Sequence, residues 1–329
     1  MFRVMSLLKK ACYIVLIIFL VLSLGCTTKK YKDRYDENYR TGTRGIEMRF
    51  AKNSPPLRIY DDEELHVIVE LRNKGATDVS GGNNRVYLSG FDSNIITGIP
   101  TTGVPIEDLE GKSIYNPEGE LYTIVEFKGN IRDLGSRNID ALDQDLLVTA
   151  CYEYKTILAE AVCIDPDPYS VSSEEKVCTP RDISTGSQGA PIAVTRVEVD
   201  AMTGKTRFKI WIKNVGGGLV FKPGFEYLDK CNPYSPYKLD YNDIDFVRVD
   251  DVKVGGISIK STCKPLDNYG HIKLLPTRSS KGASRTGVGY MICELDGVSG
   301  PPYKTPITVV LSYNYRDSIQ KRVRLLRKP

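Results

Sequence analysis

Ser261-Thr262-Cys263-Lys264 has the Ser-x-x-Lys spacing in which a lysine activates a serine for acyl transfer, but Pro265 follows and no Ser-Asp-Asn or Lys-Thr-Gly companion occurs. Gly204-Lys205-Thr206 has the ending of a phosphate-binding loop. Val199 occupies the first glycine's place, however, and a strand pattern follows where a helix N-terminus must cradle the phosphates. The two histidines, His66 in a strand and His271 in a loop, stand in no motif with a nucleophile. Asp240-Tyr241-Asn242-Asp243-Ile244-Asp245 and Asp165-Pro166-Asp167-Pro168 offer alternating oxygen ligands, yet Ile244 takes the third-ligand place of an EF-hand and no glycine follows. A wall or glycan hydrolase needs two carboxylates brought together, which no motif announces. Neither a metal, a cofactor nor an enzymatic activity is expected.

Cysteine and tyrosine are the remaining candidates. Past Cys26 the chain has six cysteines: Cys151, Cys163, Cys178, Cys231, Cys263 and Cys293. An even number in an exported chain suggests three disulfides, and no Cys-x-x-Cys or Cys/His pair has metal-ligand spacing. Tyr227, Tyr234, Tyr237 and Tyr241 fall in one proline-rich stretch, a composition that gives contact area at low entropic cost. They are candidates for a binding surface, or alternatively for a plug over their own loop.

These residues must be positioned by strands. Apolar residues alternate at period two in short runs broken by Gly, Pro, Asn and Asp, and helical periodicity is essentially absent after residue 26. The spacing predicts strands at Ile46 to Phe50, Glu64 to Leu71, Arg85 to Ser89, Tyr122 to Phe127, Leu146 to Tyr154 and Ile157 to Ile164. A second set is predicted at Ala193 to Val199, Thr206 to Ile212, Phe246 to Val254, Tyr290 to Leu295, Ile307 to Tyr315 and Gln320 to Leu326. The two sets are versions of one module. Val69-Glu70-Leu71-Arg72-Asn73-Lys74-Gly75 matches Ile210-Trp211-Ile212-Lys213-Asn214-Val215-Gly216; Ile124-Val125-Glu126-Phe127 matches Ile292-Cys293-Glu294-Leu295; and Tyr152-Glu153-Tyr154 matches Tyr313-Asn314-Tyr315. The Asn-x-Gly is read as ending a strand with residues that tolerate positive φ.

The repeat bears on the disulfides. Aligned on Tyr-x-Tyr, Ser312 falls under Cys151 and Arg324 under Cys163, so both cysteines are missing together from the second module, and a Cys151 to Cys163 bridge across a last hairpin is expected. Cys231 and Cys263 bracket an insertion, 231–263, that the first module lacks, and are expected to pair with each other, leaving Cys178 with Cys293.

The chain's address is at its start. Arg3, Lys9 and Lys10 precede an apolar run from Ala11 to Gly25, which ends at Cys26. A cationic flank, about 15 apolar residues and a small residue before the cut make an export signal. As an uncleaved helix the run would rise roughly 24 Å, short of a hydrocarbon core of about 30 Å. The residues before Cys26 resemble a prokaryotic lipobox, although Ser23 and Leu24 depart from its usual pattern. Two readings stay open for residues 1–26, a lipid-anchored Cys26 or a short membrane helix, and 27–45 reads as a polar tether. Losing residues 1–25 removes three cations and no acid, so the formal charge of +4 falls to +1. Nothing in that balance calls for nucleic acid. Lys321, Arg322, Arg324, Arg327 and Lys328 are read as the outer face of a last strand.

A strand ending in Lys/Arg-Asn-x-Gly with a late Tyr-x-Tyr strand resembles the immunoglobulin-like and CARDB-type modules of archaeal and bacterial surface proteins. The resemblance implies an all-β chain with two tandem antiparallel sandwiches, module one at 46–168 and module two at 191–329, joined by a linker at 169–190. It also implies adhesion, scaffolding or envelope assembly. The expected function is binding or scaffolding outside the cytoplasm, anchored to the membrane, through surface-protein or glycan contacts. The alternative is a structural subunit whose exposed edge strand pairs with a neighbouring chain.

Overall fold

The computed structural model describes residues 39–119, 121–170, 176–279 and 282–329. The expected membrane segment with Cys26, residues 27–38 of the tether and residues 171–175 of the linker lie outside them. In chain order the strands are β1 (Ile46–Phe50), β2 (Arg58–Tyr60), β3 (Glu64–Asn73), β4 (Arg85–Ser89), β5 (Ile96–Thr97), β6 (Val104–Pro105), β7 (Tyr122–Ile131), β8 (Ala141–Ile164) and β9 (Ile183–Ser184). The second half contributes β10 (Ile192–Met202), β11 (Lys205–Asn214), β12 (Leu219–Phe221), β13 (Phe246–Val254), β14 (Ile257–Ser258), β15 (His271–Lys273), β16 (Leu275–Ser279), β17 (Gly282–Asp296) and β18 (Tyr303–Leu326). Among the described residues one α-helix, Phe225–Cys231, interrupts this all-β order, and no helix there is long and apolar enough to cross a membrane.

Alternation makes these strands half-buried. Leu65, Val67, Val69 and Leu71 of β3 are fully buried, as are Phe208, Ile210 and Ile212 of β11, with the half-buried His66, Ile68, Glu70, Lys209 and Trp211 between them on the other face. A four-stranded sheet runs β1-β3-β7-β5 and a five-stranded one β16-β17-β11-β10-β9. The third sheet runs β14-β13-β18-β8-β4-β6, with β2 and β12 also on β18 and β15 on β13. All pairings are antiparallel except that of β2 with β18. The buried side chains of the three sheets form one apolar cluster.

β8 and β18 are each 24 residues long and pair over their whole length, from Ala141 opposite Leu326 to Ile164 opposite Tyr303. The sequence predicts each as two strands with a break near Lys155 and Arg316. The structure runs straight through: Tyr152, Tyr154, Thr156 and Leu158 are buried in turn, so the alternation continues through a buried threonine that hydrogen-bonds instead of turning. Residues 46–168 and 191–329 are therefore halves of a repeat and share one sheet, inside a single compact unit from Glu37 to Pro329.

The register places Tyr154 opposite Tyr313 and Tyr152 opposite Tyr315, so the repeat's two Tyr-x-Tyr segments meet at a pseudo-twofold through Glu153 and Asn314. All four rings are buried, with centroids 5.8 to 6.4 Å apart. Each hydroxyl is satisfied, as burial requires. Tyr154 donates to Asn73 Oδ1 (2.9 Å) and Tyr315 to Asn214 Oδ1 (3.2 Å), while the Tyr152 and Tyr313 hydroxyls accept from the Ile46 and Ile192 N–H groups. The Asn-x-Gly thus has a different cause from the expected one. Neither Gly75 nor Gly216 has a positive φ; a Cβ on Gly75 would lie 2.0 Å from the Tyr154 hydroxyl, and one on Gly216 2.5 Å from that of Tyr315.

The cysteines pair as Cys151–Cys231, Cys163–Cys178 and Cys263–Cys293. All three expected pairings, Cys151 with Cys163, Cys231 with Cys263 and Cys178 with Cys293, are corrected. Cys151 and Cys163 lie on the same extended strand, about 40 Å apart at 3.3 Å per residue, because the supposed hairpin between them is a continuous strand. The C-terminal basic cluster is matched by acids across β8: Arg322 holds Asp145 through two bonds of 2.8 and 2.9 Å, and Arg324 holds Asp143 through bonds of 2.7 and 3.1 Å. Each arginine holds its partner's carboxyl below the ordinary aspartate range.

Candidate functional site

The insertion begins where Pro223-Gly224 ends a strand and the helix Phe225–Cys231 turns Leu228 and Cys231 inward. Its apolar side covers the outer face of the central sheet. Leu228 and Cys231 pack with Tyr87 of β4, Cys151 of β8 and Phe221 of β12, and Tyr227, Leu239 and Ile244 close the cluster. Cys151 can reach Cys231 because it follows Ala150 and precedes Tyr152, so its side chain leaves β8 on the face opposite the tyrosine core. An element of the second half is thereby fastened to strands of the first. The Tyr234 hydroxyl donates to the Leu88 carbonyl (2.6 Å), and Asn232 donates to the Thr101 carbonyl (3.2 Å).

The four insertion tyrosines divide between the two expected roles. Tyr227 is half-buried and packs inward, Tyr234 is exposed but bonds inward through its hydroxyl, and desolvation pushes both phenols above the ordinary range. Tyr237 and Tyr241 are 70% and 71% exposed. Lys273 donates to the Tyr241 carbonyl (2.8 Å) and places its ammonium 3.2 Å from that ring's centroid and 4.8 Å from that of Phe246. Such a cation holds a surface ring in place. Tyr269, 79% exposed, and the nearly buried His271 continue the aromatic surface, their ring centroids 6.1 Å apart.

The insertion also forms one wall of a cleft of about 640 Å³, lined by Leu239, Ile244 and Asp245 on one side and by Gly217, Gly218, Arg316, Asp317 and Ser318 on the other. The Gly218 N–H donates to the Tyr315 hydroxyl (2.7 Å), and a Cβ there would lie 2.4 Å from the Arg316 carbonyl, so the cleft floor depends on a glycine fitted to the tyrosine core. Asp245 has φ +64° and is fixed at both ends, its N–H on the Val220 carbonyl (2.8 Å) and its carbonyl accepting from Leu274 (2.7 Å). Burial raises the carboxyl pKa of Asp245 against the pull of Lys273, and that of Asp317 against the Ser318 N–H and Arg44. Sequence reasoning missed this pair. Asp245 belongs to the acidic run 240–245 and Asp317 falls in the break between two predicted strands; pairing of β12 with β18, and of Phe221 with Ile244, brings them to one cleft within the second half.

The other candidates do not assemble. Among the described residues no three His, Cys, Asp or Glu side chains converge as a metal site. Asp243 is buried against Lys230 (2.9 Å), and Asp165 against Lys176 (2.8 Å). His271 Nδ1 lies 2.9 Å from Asp267 Oδ2, and His66 Nε2 lies 3.4 Å from Glu126. Thr262 and Lys264 of the Ser-x-x-Lys string form a strap along β17: the Lys264 N–H and carbonyl bond Ile292, the Thr262 hydroxyl bonds the Glu294 backbone, and Cys263–Cys293 staples them.

The two raised carboxyls give a pH prediction. A carboxyl whose folded pKa lies above its unfolded value binds its proton more tightly when folded, so stability falls as pH rises from the ordinary aspartate value of 3.8 through the raised one. Asp245→Asn is therefore expected to melt higher than the parent at pH 7, with the difference closing as pH falls through that window. A thermal-melt series from pH 3 to pH 8 checks it.

No family model matches the chain, and no curated protein matches it. Among solved structures the chain is similar to the secreted serine protease VesC from Vibrio cholerae, at 12% identity and a TM-score of 0.18, over 84% of this chain and 50% of that one. The chain thus spans half the length of the protease it matches. The expectation that the chain is not an enzyme is corrected by this neighbour and is dropped. At this TM-score the likeness defines no shared fold and supplies no proteolytic site in its place.

Proposed function

We propose that this chain is a binding protein of the cell surface, anchored outside the cytoplasm through residues 1–26, that takes a saccharide in the cleft beside its insertion. The observation that carries the reading is the cleft itself: two carboxyls of raised pKa, Asp245 and Asp317, line it together with Leu239 and Ile244 of an insertion that is fastened by a disulfide and also carries the exposed rings of Tyr237 and Tyr241. Tyrosine rings offer flat apolar faces to the C–H surfaces of a sugar, and carboxyls take its hydroxyls; the cleft combines both kinds of lining, Leu239 and Ile244 with Asp245, Arg316, Asp317 and Ser318. Three disulfides support an oxidising compartment. The reading of each half as an immunoglobulin-like sandwich of the CARDB kind, with a role in adhesion, belongs to the same proposal.

An array of microbial surface glycans probed with the full chain tests it. The wild type is expected to retain a defined set of saccharides, and the Tyr237→Ala/Tyr241→Ala variant to lose roughly 30-fold in affinity, from about 1 kcal/mol per ring. Its melting temperature is expected to stay within about 2 °C, because both rings are exposed. Absence of glycan binding, or recovery of a single polypeptide at equal amounts from native membranes, overturns the saccharide reading.

A further inference from the structure

The repeat makes β7 the counterpart of β17, and the two differ at one edge. On β17 the strap Thr262–Lys264 bonds the backbone of Ile292 and Glu294 on the side away from β11. On β7 the matching residues are Ile124 and Glu126, opposite Glu70 and Ile68 of β3, and Val125 stands where β17 has the stapled Cys293. Among the described residues the only other strand on β7 is β5, which pairs with Asn130 and Ile131. Among the described residues no strand lies on the far edge of β7 from Tyr122 to Lys128, and by correspondence with β17 the N–H and carbonyl groups of Ile124 and Glu126 point outward there. Tyr122 and Ile124 beside this edge are 55% and 50% exposed. An open edge with apolar side chains is a template for strand addition.

We infer that this edge pairs with the same edge of a second copy, antiparallel and centred on Ile124. The residues are self-complementary in that register. Ile124 faces Ile124 of the second copy across the twofold, and Tyr122 faces Glu126 of the second copy and the reverse, which sets a phenol hydroxyl against a carboxylate at both ends. Moving the centre to Glu126 sets two carboxylates face to face, and centring it on Phe127 drives Ile124 toward Asn130, already covered by β5. Because 122, 124 and 126 have the same parity, the pairing keeps the buried face of β7 continuous across both copies. This surface is independent of the cleft, and a failed glycan test leaves it standing.

The test uses the full chain in native membranes and in mild detergent. Ile124→Cys treated with a short bismaleimide is expected to give a covalent dimer that wild type and Lys128→Cys do not give. In detergent, light scattering is expected to report a dimer for wild type and a monomer for Ile124→Lys, which sets two ammonium groups on the twofold, with unchanged melting of the monomer fold. A wild-type monomer at 100 µM, or a dimer that persists in Ile124→Lys without crosslinking at position 124, overturns the inference. Crosslinking at position 124 to a different polypeptide overturns it as well, in favour of a heterologous strand.

Discussion

Gly75→Ala is expected to cost about 3 kcal/mol of stability, the upper part of the range for overpacking a filled site. The reason is spatial. A Cβ there meets the Tyr154 hydroxyl at 2.0 Å, the Gly189 carbonyl at 2.5 Å and the Arg44 carbonyl at 2.7 Å. Two of these are backbone atoms that no rotamer change can move. The third belongs to a ring held by Asn73 Oδ1, itself buried and also bonded to the Gly75 N–H (3.1 Å). Adding Tyr154→Phe removes one clash and leaves the carbonyls, so it is expected to recover only part of the loss. Gly216→Ala should behave alike, with the Tyr315 hydroxyl and Pro191 each 2.5 Å from the new atom, whereas Gly82→Ala meets nothing within 4 Å and is expected to change little. Urea unfolding of the four variants checks this; equal stability of Gly75→Ala and Gly82→Ala would contradict it.

Removing the Cys151–Cys231 bridge is expected to have a still larger effect, on stability and on binding together. The bond closes a sequence separation of 80 residues, for which loop-closure entropy gives roughly 4 kcal/mol. It also fastens the helix Phe225–Cys231 over Tyr87 and Phe221. In Cys151→Ala/Cys231→Ala the insertion keeps only non-covalent ties to the first half, its packing on Tyr87 and the Tyr234 to Leu88 and Asn232 to Thr101 bonds, and the cleft wall at Leu239 and Ile244 loses part of its backing. Saccharide binding is therefore expected to fall even at temperatures where the double variant is folded. Cys163→Ala/Cys178→Ala closes a separation of only 15 residues far from the cleft and is expected to cost less, about 3 kcal/mol, with binding unchanged. Chemical denaturation with glycan titration at 15 °C separates the two pairs. Equal binding by both variants would contradict the fastening role.

Much of this architecture was legible because alternation is a local property. β1, β4 and β13 have the predicted ends, and the pairing of Asn-x-Gly with Tyr-x-Tyr in each repeat marked the residues that form the hydrogen-bonded core. What the Asn-x-Gly does was misread, since a glycine that clears space for a ring and a glycine that supplies positive φ have the same letter. The 24-residue strands were cut in two because Lys155, Arg316 and Asp317 are polar and Asp317 is of a turn-favouring type, although no Gly, Pro or Asn stands at either break. That break had two consequences. It made Cys151 and Cys163 look like hairpin neighbours, and it left Asp317 off β18, whose pairing with β12 brings it toward Asp245. Side-chain contacts between distant segments leave no periodic trace, and neither did the missing strap over β7.

The central claim is that the cleft beside the insertion takes a saccharide, and photocrosslinking from position 241 tests it most directly. A photoreactive phenylalanine analogue replaces Tyr241, which is 71% exposed, in the full chain in native membranes, with the same analogue at Leu57, 69% exposed, as the control. The account expects a carbohydrate-bearing adduct at 241 that is absent at 57 and competed by the glycans retained on the array. An adduct at 241 consisting of polypeptide alone, or equal labelling at both positions, would contradict it.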